Sequence, residues 1–142
     1  MKKNVIIDTG PLVALLNRKD HFHYWTLSTL ESVQAPLLTC EPVITEACYL
    51  LDKGAPGLGT IQIMNLIKRQ FIKISFNVTE QADRVKQLSK KYSDTPMDFA
   101  DACIVRMSEI FTTSKIFTID SDFRIYRKQD KKILSLLIPS EH

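Results

Sequence analysis

Residues 5–11 read VIIDTGP: a short β-branched apolar run that stops at an acid and is followed at once by Gly-Pro. Such a run is typical of a buried strand, and Asp8 stands where that strand must end. The apolar residues at 12–16 then predict a short helix. In open parallel sheets, ligands bind beyond the carboxyl ends of the strands. Asp8 is therefore a candidate for a functional site.

The same alternation of strand and helix continues along the chain. Further strands are predicted at residues 37–39, 72–76, 115–119 and 134–138. Helices are predicted at residues 21–33, 42–53, 63–71, 79–92 and 96–110, with Asp20, Thr79 and Thr95 as the caps of three of them. Strands that alternate with helices indicate a mainly parallel sheet covered on both faces. We expect one α/β domain over residues 1–142.

Size and composition fit a cytoplasmic globular protein. The chain has 142 residues, of which 44% are hydrophobic and 25% charged. A chain of this length can bury a hydrophobic core without disulfides or structural metals. Cys40, Cys48 and Cys103 lie far apart in apolar contexts, which predicts reduced thiols. The apolar run at the N-terminus is broken too early for a signal peptide. No stretch approaches the ~18 apolar residues of a membrane span, so we expect no membrane partner.

Four acidic residues stand among apolar neighbours: Asp8, Glu46, Asp101 and Asp120. Burying an unpaired carboxylate costs several kcal/mol. Asp8 and Asp120 each follow a predicted strand, whereas Glu46 and Asp101 lie in the early turns of predicted helices. All four can reach the same end of the sheet. Hard oxygen ligands in this number suit Mg²⁺ or Mn²⁺, and the sequence therefore predicts a metal site.

Several neighbours of these acids have two interpretations. Asp98 is either a further metal ligand or the third residue of a helix that Thr95 caps. Asp122 is either an outer ligand or a cap. Thr9 and Thr118 either orient a carboxylate and contact a phosphate, or reflect β-propensity and local turn bonding.

Basic residues are unevenly spread, although the net charge is only +3. Five basic residues and one acid lie at residues 124–132, and Arg84, Lys86, Lys90 and Lys91 crowd one predicted helix. A basic surface beside an acidic pocket suits a polyanion such as RNA. Arg124, Arg127 and Lys128 are the candidate contacts to an RNA backbone. The alternative is an ordinary solvated surface.

Two other chemistries are weaker. His23 is a possible general base, but a hydrogen-bonded, partly buried histidine is the simpler interpretation, and no nucleophile motif accompanies it. The sequence Asp8-Thr9-Gly10 matches the signature of aspartic proteases. Those proteins are all-β, whereas this chain is rich in predicted helices, and the protease interpretation leaves the other acids unexplained.

The ordered set of motifs resembles the PIN-domain ribonucleases, in particular the small proteins of the VapC toxin type. The stretches that carry the resemblance are IIDTGPLVALL at 6–16, VITE at 43–46, DFADA at 98–102 and TIDSDF at 118–123. The resemblance covers residues 4 to about 125, and residues 126–142 form a basic segment with the last strand. It implies a three-layer α/β/α sandwich around a mainly parallel five-stranded sheet.

The resemblance also implies a function. The family's four acids correspond to Asp8, Glu46, Asp101 and Asp120, with Asp98 and Asp122 as accessory acids. It implies Mg²⁺- or Mn²⁺-dependent cleavage of RNA by metal-activated water, a homodimer, and a cognate antitoxin. The alternative is an RNA-binding or complex-forming module whose metal site is structural. A phosphohydrolase of the haloacid-dehalogenase type ranks last, because its second acid would fall at Gly10.

Overall fold

The computed structural model describes residues 4–140, and a five-stranded sheet lies at its centre. The strands are, in chain order, β1 (Val5–Ile7), β2 (Leu37–Thr39), β3 (Ile72–Ile74), β4 (Lys115–Phe117), β5 (Arg127–Lys128), β6 (Lys132–Ile133) and β7 (Leu136–Leu137). The central sheet has the order β3-β2-β1-β4-β7, and all its neighbouring strands are parallel. The predicted parallel sheet is confirmed, although most of its strands are shorter than predicted.

Six helices flank this sheet in the described part of the chain. They are α1 (Thr9–Leu16), α2 (His23–Leu30), α3 (Glu41–Asp52), α4 (Leu58–Lys68), α5 (Val78–Lys91) and α6 (Phe99–Ile110), and a 3₁₀ turn follows at Ser121–Arg124. Helix α1 packs against α2 and α3, α3 packs against α4, and α5 pairs with α6. The three-layer α/β/α sandwich is thereby confirmed. Among residues 4–140, no helix is both long and apolar enough to cross a bilayer.

The sheet reverses its strand order beside its central strand. From β1 the sheet continues through β2 and β3 on one side, and through β4 and β7 on the other. The residues of β1 are buried, with Ile6 and Ile7 fully inaccessible to solvent. A cleft opens at the carboxyl ends of strands where such a reversal occurs. Asp8 and the residues after β4 lie at this point.

The three predicted helix caps were wrong, and α1 and α4 begin three and five residues earlier than predicted. Helix α6 begins at Phe99, not at Pro96, because extended Asp98 is its N-cap, and Thr95 instead donates to the carbonyl of Tyr92. Helix α5 is capped by Asn77, whose side chain accepts from the amide of Glu80 at 3.2 Å. In α2 the turn around Asp20 delays the helix to His23. Asn77 and Asp98 thus satisfy the first amides of α5 and α6 at positions other than those predicted, whereas the N-cap of α2 is Phe22, which has no side-chain cap bond.

A two-stranded hairpin, β5-β6, was not predicted. Its loop places Gln129 and Asp130 at positive φ, 52° and 63°. Such backbone normally favours Gly or Asn, so the sequence carries no turn signal here. Arg84 and Lys91 of α5 form ion pairs with Asp130 at 3.2 and 3.1 Å. The hairpin is therefore fixed by contacts with a distant helix.

Candidate functional site

A cavity of about 220 Å³ lies at the carboxyl ends of β1 and β4. Its lining residues are Asp8, Thr9, Gly10, Glu46, Leu50, Asp98, Asp101, Ile119 and Asp120. All four acids that the sequence singled out thus surround one cavity, and Asp98 joins them. Asp122 and all the lysines and arginines of the described chain are absent from this lining.

Asp8 is the N-cap of α1 and the acid nearest the central strand. Its Oδ1 accepts from the backbone amide of Thr9 and its Oδ2 from the hydroxyl of Thr118, both at 2.8 Å. Burial raises the pKa of Asp8 to about 6; these hydrogen bonds oppose the rise, and the charges of Asp120 and Glu46 add to it. The side chain is therefore held in place but lacks a compensating positive charge.

Two threonines connect the acids. The hydroxyl of Thr9 donates to Oε1 of Glu46 at 2.8 Å, so that α1 and α3 are joined at the cavity. The hydroxyl of Thr118 accepts from the amide of Asp120 at 3.0 Å while it donates to Asp8. Each threonine thus orients one carboxylate, and Thr118 also fixes the backbone that carries another.

Asp98 and Asp101 form the start of α6. Oδ1 of Asp98 accepts from the amide of Asp101 at 2.8 Å, and Oδ2 of Asp101 accepts from the amide of Asp98 at 3.4 Å. This capping box makes Asp98 the N-cap and Asp101 the third helical residue, so the predicted third position of Asp98 was wrong. The two carboxylates of the box both line the cavity.

Tyr126 is a residue that the sequence did not single out. Its hydroxyl donates to Oδ2 of Asp101 at 3.0 Å, and its side chain is fully buried. Burial raises the pKa of Asp101 to about 8, and the charges of Asp98 and Asp8 add to the rise while the Tyr126 hydrogen bond opposes it. Tyr126 lies just beyond the last motif, where no local pattern marked it.

Glu46 reaches the cavity from an exposed helix face. The apolar neighbours at Tyr49 and Leu50 suggested a buried position, but these side chains are 65% and 39% exposed, and Glu46 is itself exposed. The expectation of burial was wrong because this face of α3 has no helix packed over it. The position of Glu46 beside Asp8 follows instead from its contact with Thr9.

The donor set of the cavity suits a hard divalent cation. Within residues 4–140, no three His, Cys, Asp or Glu side chains lie close enough to form a ready-made metal site. Buried carboxylates without a counter-charge favour protons, and the pKa values of Asp8 and Asp101 are raised mainly by burial, with a further contribution from the neighbouring acids. Oxygen-only ligands in a small cavity lined by no basic side chain fit Mg²⁺ or Mn²⁺.

Most of the predicted RNA-backbone cations have partners in the fold. Arg84 forms an ion pair with Glu109, and Lys91 forms an ion pair with Asp130 of the hairpin. Arg127 donates to three backbone carbonyls of residues 124–126, and Lys128 donates to the carbonyl of Thr112 at 2.8 Å. These four side chains stabilise the local structure. Arg124, exposed on the 3₁₀ turn after Asp120, is the remaining candidate of the three C-terminal residues.

His23 and the three cysteines have structural surroundings that explain them. Nδ1 of buried His23 donates to the carbonyl of Ala14 at 2.6 Å. The imidazole is thus a hydrogen-bonded structural group rather than a general base at the cavity. Cys40, Cys48 and Cys103 are free thiols.

Comparison with known proteins defines the class of this chain. The PIN domain model matches residues 5–129, and the chain belongs to this family. Among solved structures, the fold is similar to that of the Mycobacterium tuberculosis toxin VapC20, described as a Sarcin-Ricin loop cleaving toxin. The TM-score is 0.75 at 14% sequence identity, and the match covers 84% of this chain and 92% of that one. No curated protein sequence matches the chain.

Proposed function

We propose that this chain is a metal-dependent endoribonuclease. The observation that carries the proposal is the convergence of Asp8, Glu46, Asp101 and Asp120, from four separate elements, on one cavity without a lining cation. Membership of the PIN family supports it. The structural neighbour VapC20 is described as an RNA-cleaving toxin, which supports RNA as the substrate.

Each residue has a defined part in this proposal. Asp8, Glu46, Asp101 and Asp120 would hold Mg²⁺ or Mn²⁺, with Asp98 and Asp122 as accessory acids. When bound, such an ion would lower the pKa of a coordinated water and make it a better nucleophile toward phosphorus. Thr118 and Thr9 keep Asp8 and Glu46 in the required orientation through their hydroxyl donors.

The biological setting belongs to the same proposal. The description of VapC20 as a toxin supports a role as the toxin of a toxin–antitoxin pair. In that setting the chain acts in the cytoplasm as a homodimer and is inhibited by a cognate antitoxin. Light scattering of the purified chain tests the dimer, and copurification with the product of an adjacent small gene tests the antitoxin.

Asp8→Asn tests the nuclease. We expect cleavage of RNA in Mg²⁺ or Mn²⁺ to fall by about a thousandfold, since the change removes one ligand charge at the centre of the cavity. The matched control is Asp83→Asn, which removes an exposed acid on α5 and should leave cleavage unchanged. Chelation with EDTA should abolish cleavage by the unaltered chain.

The same variant separates the enzyme from a binding module. If the metal site is only structural, Asp8→Asn lowers the melting temperature and leaves RNA affinity intact. Full activity of a purified Asp8→Asn protein would overturn the metal-site proposal.

A further inference from the structure

A second groove, of about 640 Å³, adjoins the acidic cavity. It lies between the exposed face of α3, the first residue of α5 and the first residue of α6, and its lining is mainly apolar. Glu46 lines both the groove and the acidic cavity. The two spaces therefore share a wall at Glu46, and a ligand longer than the cavity would have the groove next to it.

Each of two helices places an acid in the cavity and an aromatic ring in the groove. On α3 these are Glu46 and Tyr49, three residues apart and so on one helix face. At the start of α6 they are the adjacent residues Asp98 and Phe99. The aromatic rings are thus placed next to the carboxylates by the backbone itself.

Both rings are largely open to solvent. Tyr49 is 65% exposed and Phe99 is 51% exposed, although aromatic side chains gain most when they are covered. The ammonium of Lys53 lies 4.6 Å from the Tyr49 ring centroid, and Lys53 does not line the groove. The groove therefore offers two largely exposed aromatic rings, and the Tyr49 ring makes a cation–π contact with Lys53.

We propose that this groove is a nucleobase subsite, in which Tyr49 and Phe99 stack on an unpaired base next to the phosphate held at the acidic cavity. The inference rests on the proposed nuclease function and adds a recognition element to it. Aromatic rings beside a phosphate-binding centre are the general means by which proteins hold single-stranded RNA. A duplex cannot present a base in this way, so the substrate at the groove is single-stranded.

The charged side chains of the groove are suited to contact a nucleobase of the RNA rather than its phosphate backbone. Glu41 and Glu46 line it, together with the hydroxyl of Thr45. Carboxylates repel phosphates, but they accept hydrogen bonds from the exocyclic amino groups of cytosine, adenine and guanine. Uracil has no such amino group. We therefore expect an amino-bearing base to be preferred over uracil at this position.

Binding of labelled pentaribonucleotides by the full-length protein tests the subsite. Fluorescence anisotropy is measured in Ca²⁺, and the oligonucleotide is checked to be intact after each titration. Tyr49→Ala and Phe99→Ala should each weaken binding about tenfold, whereas Tyr49→Phe should not. Tyr24→Ala is the matched control, because Tyr24 is 78% exposed on α2 and lies outside the groove.

An abasic substitution locates the stacked base. At one position of the oligonucleotide, removal of the base should weaken binding, and Tyr49→Ala should then add no further loss. Uracil at that position should bind about threefold more weakly than cytosine, and Glu41→Gln should reduce this difference.

Three results would overturn the subsite. One is RNA affinity that is unchanged by Tyr49→Ala and Phe99→Ala, which includes the case in which the groove holds a protein segment instead. Another is the absence of any coupled position, and the third is the absence of RNA binding by the unaltered chain. Cleavage that survives Asp8→Asn while the coupling persists would overturn the metal site and support the subsite, so the two proposals fail separately.

Discussion

Helix α6 carries a buried carboxyl group near each end, and the two differ in their surroundings. Asp101 in the first turn is 7% exposed, and Glu109 in the last turn is 5% exposed. Glu109 accepts from two nitrogens of Arg84 at 2.9 and 2.7 Å, from Arg106 at 3.1 Å and from the amide of Gln129 at 2.6 Å. Asp101 accepts from Tyr126 and from the amide of Asp98 in the capping box, and no cation within residues 4–140 contacts it.

The two acids are similarly buried, but the net shifts of their pKa values are opposite. Burial raises the pKa of Glu109, but the hydrogen bonds and charges of Arg84, Gln129 and Arg106 outweigh it, and the net pKa is lowered. Burial raises the pKa of Asp101 to about 8, with nothing positive to offset it. At Glu109 the fold itself supplies the positive charges that neutralise the buried carboxylate. The uncompensated end of the helix is where the proposed metal ion would supply the missing positive charge.

The largest difference should appear in catalysis. We expect Asp101→Asn to lower RNA cleavage by at least about a hundredfold, because it removes a ligand charge. Glu109→Gln, a matched change at the other end of α6, should leave cleavage by the folded protein within about twofold while it lowers stability. Initial rates in Mg²⁺ and denaturation curves measure both. Equal losses of activity in the two variants would contradict the comparison.

Removal of the ion pair at Glu109 should lower the stability of the protein more than its cleavage activity. Arg84→Met leaves Glu109 buried with fewer partners and leaves Lys91 as the ion-pair partner of Asp130. We expect the free energy of unfolding to fall by about 3 kcal/mol, measured by urea titration monitored by circular dichroism. Lys86→Met changes an exposed charge on the same helix and should shift stability by less than about 0.5 kcal/mol. A similar loss in both variants would remove the special role of the ion pair.

The uncompensated end should make the metal-free protein sensitive to alkali. Asp8 and Asp101 have folded-state pKa values of about 6 and about 8, above the ordinary 3.8. Between the ordinary and the raised pKa values the folded protein binds more protons than the unfolded chain, so stability falls as pH rises from about 4 to about 8. Glu109 acts in the opposite direction, because its stabilisation is lost only below its ordinary pKa.

Melting temperatures in EDTA across this pH range measure the effect. Asp101→Asn should flatten the alkaline decline, and millimolar Mg²⁺ should reverse it in the unaltered chain. A flat profile between pH 5 and pH 8 in EDTA would show that the cluster is not desolvated as described.

The smallest effect concerns Tyr126, the hydrogen-bond donor to Asp101. Tyr126→Phe removes one hydrogen bond, worth about 1 kcal/mol. Because this bond lowers the pKa of Asp101, that pKa should rise in the variant. We expect a several-fold lower cleavage rate and a shift of the acidic limb of the pH–rate profile to higher pH. Tyr92→Phe is the control, because the Tyr92 hydroxyl accepts from the amide of Arg127 and does not donate to an acid of the cavity. An equal shift in both variants would contradict the role of Tyr126.

The position of the cavity could be predicted because it depends on chain topology. Asp8 and Asp120 follow parallel strands that are neighbours in the sheet, and such strands end at one edge. Their convergence therefore needs no knowledge of side-chain packing. The same holds for the order of strands and helices, which the hydrophobic pattern carries.

The partners of the acids could not be predicted, because they depend on contacts between distant segments. Tyr126 meets Asp101 only after the chain has passed through β4 and the 3₁₀ turn. The hairpin that follows has no turn signal in its sequence and is fixed by α5. The start of α6 was misplaced because Thr95 and Asp98 are both good caps, and the capping box with Asp101 favours Asp98.

Gly10, in the first turn of α1, lies against Ile119, the residue before Asp120. A Cβ atom at this position would overlap the side chain of Ile119, so the two segments can approach only because residue 10 has no side chain. The spacing of two reactive groups is thus governed by a residue that has no functional group. Gly10→Ala should be tolerated only with a smaller residue at 119, and the two positions should vary together among related sequences.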